Sequence, residues 1–316
     1  MRAFGNQNSS PLFQNFLKWW MPVLVLICLF SRPCFAEQAD ENIMTGSQIM
    51  AEVFQRHKLF PYVYEEQTLV LTDRAGHRDV RKVRRFSRLE KDGTASGTAS
   101  GTAKFLLVFD SPAEVQGTAL RIIRHGTGQV ENQIYLPALG EELSSGQAKD
   151  QGRDFLGTDF ALEDLMETLE TFRYVRMPDQ LIAKTPYFVV DAFPVDDNQD
   201  GYTGYSMRRF FIRQDIYFVV RTDYYDRGFR FHKQLTLHDL QQVGKKMWRA
   251  NMLFMDNHRQ AHTTLIKIDR RVFSQDYVLP EIFNPACLGE NRHINPNVEI
   301  DLGEGSIDEN QSANKR

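Results

Sequence analysis

Cysteine is scarce in this sequence: three among 316 residues, two of which, Cys28 and Cys34, fall within the first 36. Removal of that segment would leave Cys287 alone, so no intramolecular disulfide is expected and stability must come from packing. Also lacking are the local signatures of common catalytic sites. There is no Gly-x-Ser-x-Gly elbow, no glycine-rich phosphate loop followed by Lys and Ser or Thr, no His-Glu-x-x-His and no paired Cys-x-x-Cys. These absences argue against an enzyme, and no catalytic residue, cofactor or metal is expected. His258 and His262 stand four apart but flank an expected turn rather than one helical face. Asp196 to Gly201 alternates oxygen ligands, yet Met207 occupies the twelfth position, where a calcium loop needs a bidentate Glu. A surplus of positive charge is missing too: 38 Lys and Arg face 41 Asp and Glu, which argues against nucleic acid as the main partner.

What is present begins with a leader. A polar, basic lead ending at Lys18 runs into the apolar stretch Trp19–Phe30, which breaks at Ser31-Arg32-Pro33 and is followed by Cys34-Phe35-Ala36. That order predicts a secretory signal, residues 1–36, cleaved after Ala36, and hence export. The rival reading, a membrane anchor, is weaker: twelve apolar residues span only about 18 Å against a hydrocarbon core of roughly 30 Å. Arg32 and Pro33 before Cys34 also make a poor lipidation site.

After the leader, Thr45 and Gln48 have capping-box spacing, and Ile49, Met50, Val53 and Phe54 share one stripe, so an amphipathic helix is expected there. The period then changes to two. Tyr62–Thr72 and Val80–Leu89 flank the turn-rich 73–77 and read as a hairpin. Further strands are expected at 104–110, 118–124, 133–136, 187–191, 206–213, 216–225, 229–237, 247–255 and 263–273. Alternation is cleanest at Phe229, Phe231, Lys233, Leu235 and Leu237, whose neighbours are all polar. Ten to eleven antiparallel strands of this kind predict a mainly β (α+β) curved half-barrel closed by a few helices. A second helix is expected around Phe160–Leu169, where Leu162, Leu165, Met166 and Leu169 fall on one stripe.

Two segments look irregular. A four-residue repeat over 93–103 is expected to lengthen a hairpin loop, and 289–316 to form a disordered tail behind a single domain over 37–288. The hairpin carries Arg81, Arg84 and Arg85 within a basic cluster that could dock on lipid headgroups or an acidic partner; the bland alternative is a solvated outer face.

Several motifs then occur in order: Phe105–Leu120, Tyr135-Leu136-Pro137-Ala138-Leu139, Asp154–Leu165, Tyr205-Ser206, Asp223-Tyr224-Tyr225-Asp226-Arg227, Trp248 with Met252 and Asn257, and Leu279-Pro280-Glu281-Ile282-Phe283. Spread over Thr45 to Leu288, this set resembles the outer-membrane lipoprotein-sorting protein family, relatives of the LolA and LolB carriers. The resemblance implies an antiparallel half-barrel around an apolar cavity that holds a lipid or the acyl chain of a lipoprotein while it crosses the periplasm. It also implies a place beside a resistance-nodulation-division transporter, as a carrier or as a non-catalytic adaptor subunit without its own ligand. In the carrier reading, Phe105, Leu107 and Phe109 on the sheet, with Phe160, Leu162, Leu165, Met166 and Leu169 above it, face the ligand. Which face of 104–110 points inward is not decided by the sequence, because that run is apolar at five consecutive positions. One departure stands out: after Leu139, where the resemblance leads one to expect a basic run, the sequence has Gly140-Glu141-Glu142-Leu143-Ser144-Ser145.

Overall fold

The computed structural model describes residues 43–57, 60–91, 101–126, 129–137, 141–144, 155–165, 172–195 and 204–285. The expected leader, the polar turn at 196–201, Met166, Leu169, Cys287 and the tail from 289 lie outside the described residues. The chain divides into two compact units, Met1–Met44 and Thr45–Arg316, and everything below concerns the second.

The unit opens with helix α1, Gly46–His57. The capping box forms as read from the sequence: Gln48 N donates to Thr45 Oγ1 at 3.2 Å and Thr45 N donates to Gln48 Oε1 at 2.8 Å. Ile49, Met50 and Val53 are buried on one stripe, and α1 packs on the strands Phe172–Ile182, Thr185–Pro194 and Phe218–Asp226.

The strands are β1 (Tyr62–Thr72), β2 (Arg78–Lys91), β3 (Gly101–Ser111), β4 (Ala119–Arg124), β5 (Val130–Leu136), β6 (Glu141–Ser144), β7 (Phe172–Ile182), β8 (Thr185–Pro194), β9 (Tyr205–Arg213), β10 (Phe218–Asp226), β11 (Phe231–Gln242), β12 (Trp248–Asn257) and β13 (His262–Val272). Among the described residues they form one open sheet in the order β6-β5-β4-β3-β2-β1-β13-β12-β11-β10-β9-β8-β7, antiparallel at every junction. The meander therefore starts and ends side by side, with β1 against β13, and leaves β6 and β7 as edges.

Thirteen strands replace the ten to eleven expected. The two additions are the edges. Strand β7 carries Pro178 and four charged or amide side chains in Phe172–Ile182, which hides its period, and a bulge between Met177 and Gln180 accommodates the proline. The expected loop over the four-residue repeat is also shorter than read: Gly101, Thr102 and Ala103 begin β3 and pair with Lys91, Glu90 and Leu89. Finally, the alternation at 229–237 is broken. Tyr224 pairs with Lys233 but Tyr225 pairs with Phe231, so a bulge at His232 moves Phe231 to the face opposite Lys233.

Each face has its own core. The inner face, defined as the one covered by segment 155–165, holds Leu69, Leu71, Val83, Leu107, Phe109, Leu120, Ile122, Met255, Ile266 and Ile268 with Phe155 and Phe160. The outer face holds Tyr64, Phe86, Leu106 and Val108, covered by Val278 and Phe283 from the 3-10 turns Gln275–Tyr277 and Pro280–Phe283. Arg88 and Arg121 tie these turns down by donating to the carbonyls of Val278 (2.9 Å) and Phe283 (2.6 Å). The closing Leu279–Phe283 motif is thus a cover for one side of the sheet.

Candidate functional site

Segment 155–165 is a compact knot with little regular structure. Phe155 N donates to Phe160 O and Thr158 N to Phe155 O, both at 2.9 Å, around a left-handed pair, Leu156 (φ 46°) and Gly157 (φ 76°). A short 3-10 turn, Leu162–Leu165, follows, in place of the amphipathic helix expected over 160–169. Ala161 N donates to Asp164 Oδ2 at 2.9 Å, and this local side-chain bond competes with helical hydrogen bonding.

The knot is fastened to the inner face mainly by charge. Lys233 Nζ on β11 donates to Asp159 O at 2.6 Å and to Asp164 Oδ2 at 3.0 Å. Arg208 on β9 donates to Glu163 Oε2 at 2.7 Å, and Tyr205 OH to Asp164 Oδ2 at 3.0 Å. On β13, Asp159 Oδ2 accepts from Thr264 Oγ1 at 2.7 Å and lies 2.7 Å from His262 Nδ1. On β2, Arg81 Nη1 donates to Leu156 O at 2.6 Å. Burial, with Asp164 and Glu163 beside it, pushes the Tyr205 phenol well above its ordinary range, so it stays a donor. Arg208 and Lys233 are each only 1% exposed, and charges so deep are sustained only by such pairing.

Under the knot the inner face is apolar. Register resolves the parity that the sequence left open: Phe109 pairs with Val83, and Leu107 pairs with Leu120 and Arg85, so Phe105, Leu107 and Phe109 face inward while Leu106 and Val108 belong to the outer core. Phe109 meets Phe155 of the knot at 6.0 Å between ring centroids, and Phe160 is buried in the same cluster. Leu162 and Leu165 lie in the 3-10 turn with side chains outside the described residues, as are Met166 and Leu169 altogether.

The three hairpin arginines do not form one surface. Arg81 holds the knot, Arg84 pairs with Asp110 at 2.8 Å on the outer side, and Arg85 pairs with Glu65 at 3.1 Å on the inner side. Sequence reasoning passed over Asp159, Glu163, Asp164, Arg208 and His262 as fasteners. Lys233 had a signal: it is the charged residue on an otherwise apolar strand face.

A family model described as "Uncharacterized protein" matches residues 101–289. The chain belongs to that family. No curated protein matches. Among solved structures, a domain from Vibrio parahaemolyticus named for outer membrane lipoprotein sorting has a TM-score of 0.69 at 24% identity, over 77% of this chain and 98% of that one. A DUF1329 family protein from Desulfovibrio piger has a TM-score of 0.67 at 20% identity, over 77% and 97%. A LolA superfamily protein from Nitrosomonas europaea has a TM-score of 0.59 at 12% identity, over 77% and 99%. The fold is therefore LolA-like, a mainly β open antiparallel sheet with few helices, as the sequence resemblance implied.

Proposed function

We propose that this family member is a non-catalytic periplasmic carrier. It binds a lipid, or the acyl chain of a lipoprotein, in an apolar half-barrel formed by residues 37–288 after the leader 1–36 is removed, with 289–316 as a polar tail. The observation that carries this reading is the construction of the inner face: an apolar cluster under a cover, segment 155–165, that is tied down largely by ion pairs, side-chain hydrogen bonds and the packing of Phe155 and Phe160 and is not itself a strand of the sheet. A cover fastened in that way can separate from the sheet without breaking the ladder. Curvature is supported by the same contacts. Arg81 on β2 and Arg208 on β9 stand six strands apart, roughly 29 Å along a flat sheet, yet both bind the one short segment.

The energetics suit a carrier. Sheltering hydrocarbon from water returns about 0.8 kcal/mol per methylene, so ten methylenes supply roughly 8 kcal/mol before the costs of binding. In this reading Phe105, Leu107 and Phe109 line the floor, and Phe160, Leu162, Leu165, Met166 and Leu169 the cover. The fold likeness to a domain named for outer membrane lipoprotein sorting supports the ligand class, and a resistance-nodulation-division transporter is the proposed neighbour. Mass spectrometry of the protein purified from its native host tests the reading: a co-purifying lipid or acylated protein is expected. Recovery without either, together with no uptake of hydrocarbon probes in vitro, would overturn it.

A further inference from the structure

The other end of the inner face carries an unusual concentration of guanidinium groups around one carboxylate. Glu65, buried on β1, pairs in register with Arg85 on β2 and Arg271 on β13. Its Oε1 accepts from Arg271 Nε at 2.7 Å, and its Oε2 accepts from Arg85 Nη1 at 3.1 Å and Gln67 Nε2 at 2.7 Å. Burial alone would raise the Glu65 pKa, but the two arginines and the hydrogen bonds overcome it and hold it below its ordinary value. The carboxylate is therefore charged and fully engaged.

Arg249 on β12 is the third guanidinium. Its bonds run to main-chain carbonyls, those of Trp248 and His57, and among the described residues no carboxylate is in ion-pair contact with it. Burial, with repulsion from Arg271 and Arg85 against the opposing pull of Glu65, lowers its pKa to about 10. Asp239, another acid on this side, is exposed and accepts from Asn251 Nδ2. Arg85 and Arg271 thus share one buried anion while Arg249 beside them touches none among the described residues, which leaves positive charge in a partly desolvated place where it costs free energy.

That surplus adjoins apolar surface. The Arg85 guanidinium lies 5.7 Å from the centre of the Phe105 ring, and Leu107 pairs with Arg85 on the same face. Segment 155–165 sits at the opposite end of β1, where Leu71 pairs with Thr264. Glu65 and Leu71 are roughly 20 Å apart along the strand, with Gln67 and Leu69 between them on the inner face.

We propose that Arg85, Arg249 and Arg271 seat the anionic headgroup, a phosphate or carboxylate, of an amphiphile whose hydrocarbon chain runs along the inner face toward segment 155–165. This deepens the carrier reading and rests on it. Guanidinium groups recognise such oxyanions through charge-assisted, often paired hydrogen bonds.

The test compares decyl phosphate, decanol and inorganic phosphate as competitors of the uncharged probe N-phenylnaphthylamine, on the full chain at low salt. Decyl phosphate is expected to bind at least about tenfold more tightly than decanol, the scale of one charge-assisted hydrogen bond. Arg249→Gln and Arg85→Gln should each shrink that preference to a few-fold and leave decanol unchanged. Retained decanol binding reports that the variant is folded. Arg85 is partly exposed and its removal leaves Glu65 paired with Arg271, so this variant keeps the test alive if Arg249→Gln does not fold. Equal affinity for the two decyl compounds in the unmodified chain would overturn the headgroup seat and leave the carrier standing. Inorganic phosphate competing as well as decyl phosphate would overturn the amphiphile in favour of a free anion. A protein that takes up neither the probe nor any decyl compound removes the carrier reading and the seat together.

Discussion

Lys233 Nζ lies 3.0 Å from Asp164 Oδ2, and neither side chain is more than 1% exposed. One is on a central strand and the other on an irregular segment, so this buried pair is one of the contacts that join the cover to the floor. Lys233→Met should therefore cost about 3–5 kcal/mol, because Asp164 is left buried with one cation fewer. Urea denaturation measures this. The double variant with Asp164→Leu should recover part of the loss, since a pair replaced together no longer strands a charge; Tyr205 and Arg208 lose a partner too, so recovery is incomplete.

Strand β3 offers a test of parity. Leu106 and Leu107 are both buried, one in each core. Leu106→Ala and Leu107→Ala should each destabilise by about 2–5 kcal/mol. Uptake of a fluorescent hydrocarbon probe should change for Leu107→Ala alone. An equal change for both would remove the assignment of the inner face as the ligand-binding face.

His57 closes α1 with its ring between two main chains: Nε2 donates to Tyr217 O at 3.0 Å and Nδ1 accepts from Trp248 N at 3.3 Å. Burial, followed by repulsion from Arg249 and Arg56, lowers its pKa from 6.5 to about 4 against the opposing pull of the Tyr217 carbonyl. Between those values the unfolded chain takes up a proton that the folded chain refuses. The stability from the neutral ring is thus fully present above pH 6.5 and declines as pH falls toward 4, by at most about 3 kcal/mol and less for a half-solvated ring. His57→Gln should flatten the pH dependence of the melting temperature across that window; an unchanged slope would contradict the assignment.

Gly101 begins β3 against the backbone of β2, and a Cβ there would overlap Glu90 O. Gly101→Ala should lower stability by roughly 1–3 kcal/mol, because a main-chain carbonyl in a ladder cannot move aside as a side-chain end can. Thermal melting checks it. Gly76, at φ 85° with open space around it, should cost about 1 kcal/mol as Ala through backbone conformation alone.

Local sequence determined the elements whose energetics are local. Thr45 and Gln48 close a capping box across one turn, Asp73 organises the first hairpin by accepting from Ala75 N and His77 N, and two-residue periodicity marks the well-alternating strands. Tertiary structure decided the rest. Register against β2 and β4 set which side of the all-apolar β3 faces inward, and a bulge at His232 reversed Phe231, since one inserted residue flips every side chain beyond it. The ion pairs at Lys233 and Arg208 and the arginines around Glu65 join residues up to 206 positions apart. No local pattern specifies partners at that separation: Glu65 and Arg271 meet because β13 returns to lie beside β1, and Lys233 and Arg208 meet their acids because segment 155–165 lies over the inner face.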